Sequence, residues 1–244
     1  MWCVIPVAGR STRLSTVTAG RPKALVPVGG RPIIEHLLDR LGPPFGDVCI
    51  VADPTGVASF VELGSRYGDL RLHYTVQPEP TGVADAVGRA VGQVEGPFVA
   101  LMGDCFYERP LSSFPERWAE SGCDGAVLVE PAGDGGGQPM GLVRLEDRAV
   151  AEIFKAPWAG ETDWRVCGAY LLPPTYFDAV AGTTPAASGE IEVEDVVTRL
   201  MSEGASFRAV PYAGWRRNIN TPRDLAAVEA RIAGRVVPSD WSSA

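Results

Sequence analysis

The chain has 244 residues, enough to bury a substantial core within one α/β domain. Charged residues make up 21% and hydrophobic ones 45%, the balance of an ordinary globular protein. A formal charge of −8 argues against a nucleic-acid-binding surface, and no apolar run is long enough to cross a bilayer. Neither a nucleic acid nor a membrane is therefore an expected partner, while assembly into a homo-oligomer stays open. The apolar start, Trp2 to Ala8, runs straight into polar residues and does not read as a signal peptide. The five cysteines (3, 49, 105, 123 and 167) are scattered without a C-x-x-C, which reads as reduced thiols of a cytoplasmic protein. His36 and His73 read as structural.

In chain order, Trp2 to Val7 is an apolar run of strand length, followed by the small-residue loop Ala8-Gly9-Arg10-Ser11-Thr12 and then Arg13. Lys23 follows in Arg-Pro-Lys, ahead of a second apolar run. Pro32 suits the first turn of a helix reaching about Leu41. Strands are expected at 47–52, 72–76 and 97–102, and helices at 55–66 and 81–91, with Thr81 as the cap of the latter. After Gly125 shorter strands follow at 125–130, 141–145, 149–154 and 166–172, with the glycine-rich stretch 131–139 as a candidate mobile loop. Two late helices, 192–203 and 221–233, precede a polar tail. This alternation predicts a single-domain, Rossmann-like α/β fold, with a mostly parallel sheet and helices on both faces. The expected domain spans 1–236, in two halves of about 1–125 and 126–236, with 237–244 as tail.

The first loop carries the clearest chemistry. Ala8, Gly9 and Ser11 are too small to keep a polyphosphate from the backbone amides. Arg13 can fork onto two phosphate oxygens, and Lys23 can act as a point charge. The spacing is neither that of a P-loop nor that of a dinucleotide fingerprint. Asp104 follows the strand FVALMG, at the edge where open α/β sheets bind ligands, and a carboxylate there can hold Mg²⁺ against phosphate oxygens. Gln77, in the stiff turn Gln77-Pro78-Glu79-Pro80-Thr81-Gly82, offers a donor and an acceptor that match uracil or thymine. Gly82 lets a flat ring approach the backbone.

A-G-x-S-T-R-L followed by R-P-K-x-L-x-P-V resembles the signature of the sugar-phosphate nucleotidyltransferases, with Ser11 where the family pattern has Gly. The resemblance runs to about residue 230 and implies a fold of the nucleotide-diphospho-sugar transferase type. It also implies transfer of a nucleotidyl group from a nucleoside triphosphate, dTTP or UTP favoured, to a sugar 1-phosphate, with release of pyrophosphate. On that resemblance Ala8, Gly9, Ser11, Thr12, Arg13, Lys23, Gln77 and Gly82 bind the nucleotide. Gly141, Phe154, Lys155 and Glu190 face the sugar phosphate, and Asp104 with Asn218 holds Mg²⁺. Arg13, Lys23, Asp104 and Lys155 carry the catalysis.

Phe154 stands where the family's E-K-P motif has Glu, and Asn218 where W-x-D-I-G-T-P-E-D-L has Asp. Phe154 implies an acceptor lacking one hydroxyl or presenting it differently, a cyclitol phosphate, or a register shifted by one residue. Asn218 implies weaker metal binding. Two further readings stay open: a catalytically silent nucleotide- or sugar-phosphate-binding regulator, suggested by the three departures, and a nucleotide-sugar-dependent glycosyltransferase. The latter usually shows Asp-x-Asp, whereas Asp104 is followed by Cys105-Phe106.

Overall fold

Strand β1 (Trp2–Pro6) is apolar throughout because both of its faces are covered. It pairs in parallel with β4 (Asp47–Ala52) on one side and β7 (Phe98–Leu101) on the other. The computed structural model describes residues 1–9, 20–133, 139–157, 159–160, 164–185 and 188–235. The reading of Ser11, Thr12 and Arg13, the centre of the 131–139 loop and the polar tail thus lie outside the described residues.

Beyond β4 the parallel run continues to β6 (Leu70–Val76), edged by the antiparallel β5 (Arg66–Tyr67). On the other side of β7 come β12 (Trp164–Leu172), β9 (Gly125–Pro131), β13 (Phe207–Pro211), β11 (Ala149–Pro157) and β10 (Pro139–Glu146), completing a ten-stranded sheet. Two short two-stranded antiparallel sheets flank it: β2 (Pro27–Val28) with β3 (Arg31–Pro32), and β8 (Cys105–Tyr107) with β14 (Arg216–Asn218).

The expectation of a mostly parallel sheet is corrected: the sheet is mixed. Parallel pairing holds from β7 to β6 and between β9 and β13, whereas β12 runs antiparallel to both β7 and β9. The cause is local. Asp147 and Arg148, both at positive φ (47° and 71°), close β10 onto β11 in a two-residue turn, which can only join antiparallel neighbours.

Alternation along the central strands divides the core. Cys3 and Ile5 pack with α1 (Ile33–Leu38), α2 (Val57–Val61) and α4 (Ser113–Ala119) on one face. Val4 packs with α3 (Val83–Gly88), α5 (Tyr176–Ala181) and α6 (Val193–Ser202) on the other. Helices therefore do cover both faces. A small third cluster, including Val28, Phe106, Ile219 and Val228, seats α7 (Pro222–Ile232) against the two short sheets.

Two predicted helices are shorter than their patterns. The first keeps only α2, because the chain turns at Gly64 (φ 84°) and then forms β5. The second starts after Gly82 (φ 112°), not at Thr81, whose hydroxyl donates to Asp85 Oδ2 instead. Gly82 lies against the 191 backbone: Ala84 N–H donates to Ile191 O, and Ile191 N–H to Thr81 O, both at 3.0 Å. A Cβ at residue 82 would stand 2.4 Å from Ile191 N and O.

Both histidines are structural. His36 Nε2 donates to Val28 O at 2.9 Å, and His73 Nε2 to Asp47 Oδ1 at 3.0 Å. Asp47 also accepts from Arg71, and that bond, outweighing the opposing effect of burial, holds its carboxyl at about 2.

Two outcomes follow. Gly82→Ala meets both a left-handed backbone and the Ile191 wall, so it should cost about 2 kcal/mol or more in urea unfolding. A carboxyl whose pKa falls on folding stabilises fully above its unfolded value of about 3.9, and that stabilisation is lost toward about pH 2. Asp47→Asn should then lower stability by about 1 kcal/mol at pH 7, discounted for the exposure of Arg71. The gap between the two proteins should close as urea midpoints are followed from about pH 4 to about pH 2.

Candidate active site

Three strands of the parallel run end together. β1 leads into Val7-Ala8-Gly9, β6 into Gln77, and β7 into Met102-Gly103-Asp104, and the cleft they enclose measures about 470 Å³. Lys23, Gly82, Glu190 and Asn220 complete its wall. The crevice thus lies beyond carboxyl-terminal strand ends, where helix-covered parallel sheets leave room for a ligand. Gly103 makes the convergence feasible: a Cβ there would stand 2.4 Å from Val7 Cγ1 and 2.8 Å from Pro6 O.

Lys23 opens a single 3₁₀ turn, Lys23–Leu25, and among the described residues its ammonium is the one cation lining the cleft. Nζ donates to Asp104 Oδ2 at 2.9 Å and to Asn220 Oδ1 at 2.7 Å, with the side chain only 15% exposed. Both acceptors are held from behind. Asp104 O accepts from Ile219 N–H at 2.8 Å. Asn220 N–H donates to Asp224 Oδ2, which forms the capping box of α7 with Thr221. Asp224 is in turn buried against Arg217 Nε at 2.8 Å.

Gln77 is 4% exposed. Its Nε2 donates to Gly82 O at 3.0 Å and Asp85 Oδ2 at 2.9 Å. Burial acts to raise the Asp85 carboxyl pKa, but hydrogen bonds from Thr81, Gln77 and Arg89 outweigh it and hold it below the ordinary value. An ionised Asp85 only accepts, so it fixes which end of the Gln77 amide carries the donors. Both donors being committed, Gln77 offers the cleft its carbonyl oxygen alone.

Asn218 is placed outside the cleft wall but close behind it. The β8–β14 register sets it opposite Cys105, whose thiol lies 3.0 Å from Asn218 Oδ1 and 3.6 Å from Asp104 Oδ1. Burial pushes the Cys105 thiol well above its usual range, so it stays a neutral donor. Asn218 Oδ1 also accepts from Arg216, whose buried guanidinium shares Glu130 with Arg165. Asp104 and Asn218 therefore offer one carboxylate and one amide oxygen on either side of a thiol. Oxygen donors are the ligand type that Mg²⁺ takes, but Asn218 Oδ1 already accepts from Arg216 and Cys105, and Asp104 Oδ2 from Lys23, which leaves Asp104 Oδ1 as the readier oxygen. Among the described residues no group of three or more His, Cys, Asp or Glu is arranged to hold a metal.

The acceptor-side residues form a separate group. Lys155 pairs across the hairpin with Gly141 and forms an ion pair with Glu192, the residue that caps α6. Phe154 projects from the opposite face of β11, as strand alternation requires, and lies under Arg144 with 5.1 Å between guanidinium carbon and ring centroid. Phe154 and Lys155 thus present their side chains to opposite faces of β11. Lys155, Gly141 and Phe154 do not line the cleft, while Glu190 does.

Two residues were not singled out in sequence. Asn220 occupies the position of the Gly in I-G-T-P, and that mismatch was its signal. Glu194 occupies the Thr of G-E-x-E-x-T-D and is buried; Tyr170 Oη donates to its Oε1 at 2.7 Å. Burial, ahead of the repulsion from Glu192, raises its carboxyl above the ordinary range. Its Oε1 would lie 2.3 Å from a Cβ at residue 141, so the buried carboxylate leaves room there only for glycine.

Comparison with known proteins places the chain in a family. The family model described as nucleotidyl transferase matches residues 3–233. UTP–glucose-1-phosphate uridylyltransferase AglF of Haloferax volcanii is 26% identical, over 95% of this chain and 96% of its own. Glucose-1-phosphate thymidylyltransferase of Streptomyces griseus is 26% identical over 98% of this chain and 68% of its own. Some relatives are longer: the chain spans 63% of Agl11 of Haloferax volcanii and 56% of GlmU of Methanococcus vannielii. Among solved structures, UDP-glucose pyrophosphorylase complexed with UDP-glucose superposes with a TM-score of 0.84 at 18% identity, covering 96% of this chain and 98% of that one. UTP-bound UGPase from Acinetobacter baumannii gives 0.78 at 19% identity, covering 95% and 92%. These likenesses show the same fold. A family match across nearly the whole length leads to one assignment: the chain belongs to the nucleotidyl transferase family.

Proposed function

We propose that the chain joins a nucleoside triphosphate to a sugar 1-phosphate and releases pyrophosphate. The observation that carries this reading is the Lys23 ammonium, poised on the floor of a cleft walled by Ala8 and Gly9. A phosphate oxygen of the acceptor attacks the α-phosphorus in line, forming the new O–P bond as the bridge to the β-phosphate breaks. The attacking oxygen is already ionised, so no general base is required. Alignment and neutralisation of like charges supply the rate.

Lys23 holds the α-phosphate or the incoming phosphate, and Arg13 the leaving pyrophosphate. Lys155 exchanges Glu192 for the acceptor phosphate. Asp104, with Asn218, would hold Mg²⁺, which when bound neutralises phosphate charge. Gln77 Oε1 accepts from the ring N–H of uracil or thymine, and the uridylyl- and thymidylyltransferase names of the relatives support that choice. Because Phe154 faces away from Lys155, it gives no ground for preferring a cyclitol over a sugar.

Pyrophosphate release from five triphosphates against a panel of sugar and cyclitol 1-phosphates tests the reading. Turnover should peak with UTP or dTTP and a hexose 1-phosphate. Lys23→Ala should lower kcat/KM by about a hundred-fold or more, the loss of a charged contact to a reacting phosphate. Unchanged turnover in that variant sinks the assignment, as does nucleotide binding without turnover across the whole panel.

A further inference from the structure

Lys23 has three donors, and among the described residues two are spent on Asp104 Oδ2 and Asn220 Oδ1, leaving one for an anion. Of these partners, only Asp104 was expected from the family pattern; at residue 220 that pattern has glycine, which has no oxygen to offer. The carboxamide is also held on a rigid mount. Ile219 is fully buried and hydrogen-bonded to Asp104 O, and Asn220 N–H is tied into the α7 cap. Asn218, two residues earlier, is turned to Arg216 and Cys105 instead.

We propose that Asn220 is a positioning residue for Lys23. Its oxygen and that of Asp104 clamp the ammonium so that the remaining N–H is aimed at a bound phosphate. The proposal rests on the reading that Lys23 works on a phosphate, and it adds a component particular to this chain. A four-carbon side chain held by Asp104 alone can swing about that one contact. With two acceptors, rooted in different parts of the chain, its direction is fixed before substrate arrives, and less ordering remains for the transition state.

The chain's composition makes the test direct, because Lys23 and Lys155 are its only lysines. Each ammonium can be followed separately in the ¹⁵N-lysine-labelled, full-length protein. Asn220→Ala should alter the Lys23 ammonium signal, leave that of Lys155 in place, and keep the melting midpoint. Pyrophosphate release should fall about ten-fold or more, the loss expected for one hydrogen bond to a charged group. Asn218→Ala should leave the Lys23 signal unchanged. Asn220→Gly gives the same readouts should the alanine variant not fold. An unaltered Lys23 signal, or turnover within about two-fold of the parent, overturns the proposal. Turnover retained in Lys23→Ala overturns the underlying reading instead, and the ammonium signal still reports on the clamp.

Discussion

An ammonium with little access to water must be neutralised by groups fixed in advance, and the Lys23 site is built around that requirement. Burying a cation is costly unless opposite charge and hydrogen-bond acceptors are already in place. Here they come from residues 81 and 197 positions further along the chain. The 3₁₀ turn near the start, the end of β7 and the entry to α7 must therefore meet within hydrogen-bonding distance of one atom. The β8–β14 pairing is what makes them meet, since its register brings residues 216–218 alongside 105–107 and hands Ile219 N–H to Asp104. Loss of the Asp104 contact would leave an uncompensated charge in the cleft, a larger penalty than the ion pair's own net worth.

How far this arrangement could be read from the sequence differed between its parts. β1 and β7 were plain because strands buried on both faces are continuous apolar runs. Asp104 was plain because it follows such a strand directly. The β8–β14 pairing was hidden: Cys-Phe-Tyr and Arg-Arg-Asn have no period to detect, and the two strands lie more than a hundred positions apart. The mixed sheet was hidden by a turn made from Asp147 and Arg148, which lacks the Asn-Gly or Asp-Gly that marks such turns. Asn220 was visible only as a mismatch to glycine, and its partner depended on folding. Phe154 follows the same logic on β11, where alternation turns it and Lys155 to opposite faces although they are adjacent in sequence.

The acceptor side follows a different physical rule from the nucleotide side. Around Lys23 the cation is enclosed and doubly bound, while Lys155 pairs with Glu192 at a position open enough for exchange. In the proposed reaction an incoming phosphate would outcompete one carboxylate there, and Glu192, as part of an α6 capping box, is not lost to the fold when it is released. Glu194 adds a buried carboxyl whose charge is disfavoured by its surroundings and whose space is made by Gly141. The two halves thus divide the work: one fixes its cation before binding, and the other trades a partner during it.

Glu130 carries one negative charge between two guanidiniums, so a net positive charge lies under Asn218 in a molecule whose total is −8. A triphosphate approaching from bulk solution is first repelled and only at short range attracted. At physiological ionic strength charges are screened beyond about 8 Å. Added salt at first removes the distant repulsion more than the enclosed attraction, so capture of the nucleotide should quicken before it slows. Most polyanion-binding proteins carry a basic surface and show only the second half of that curve.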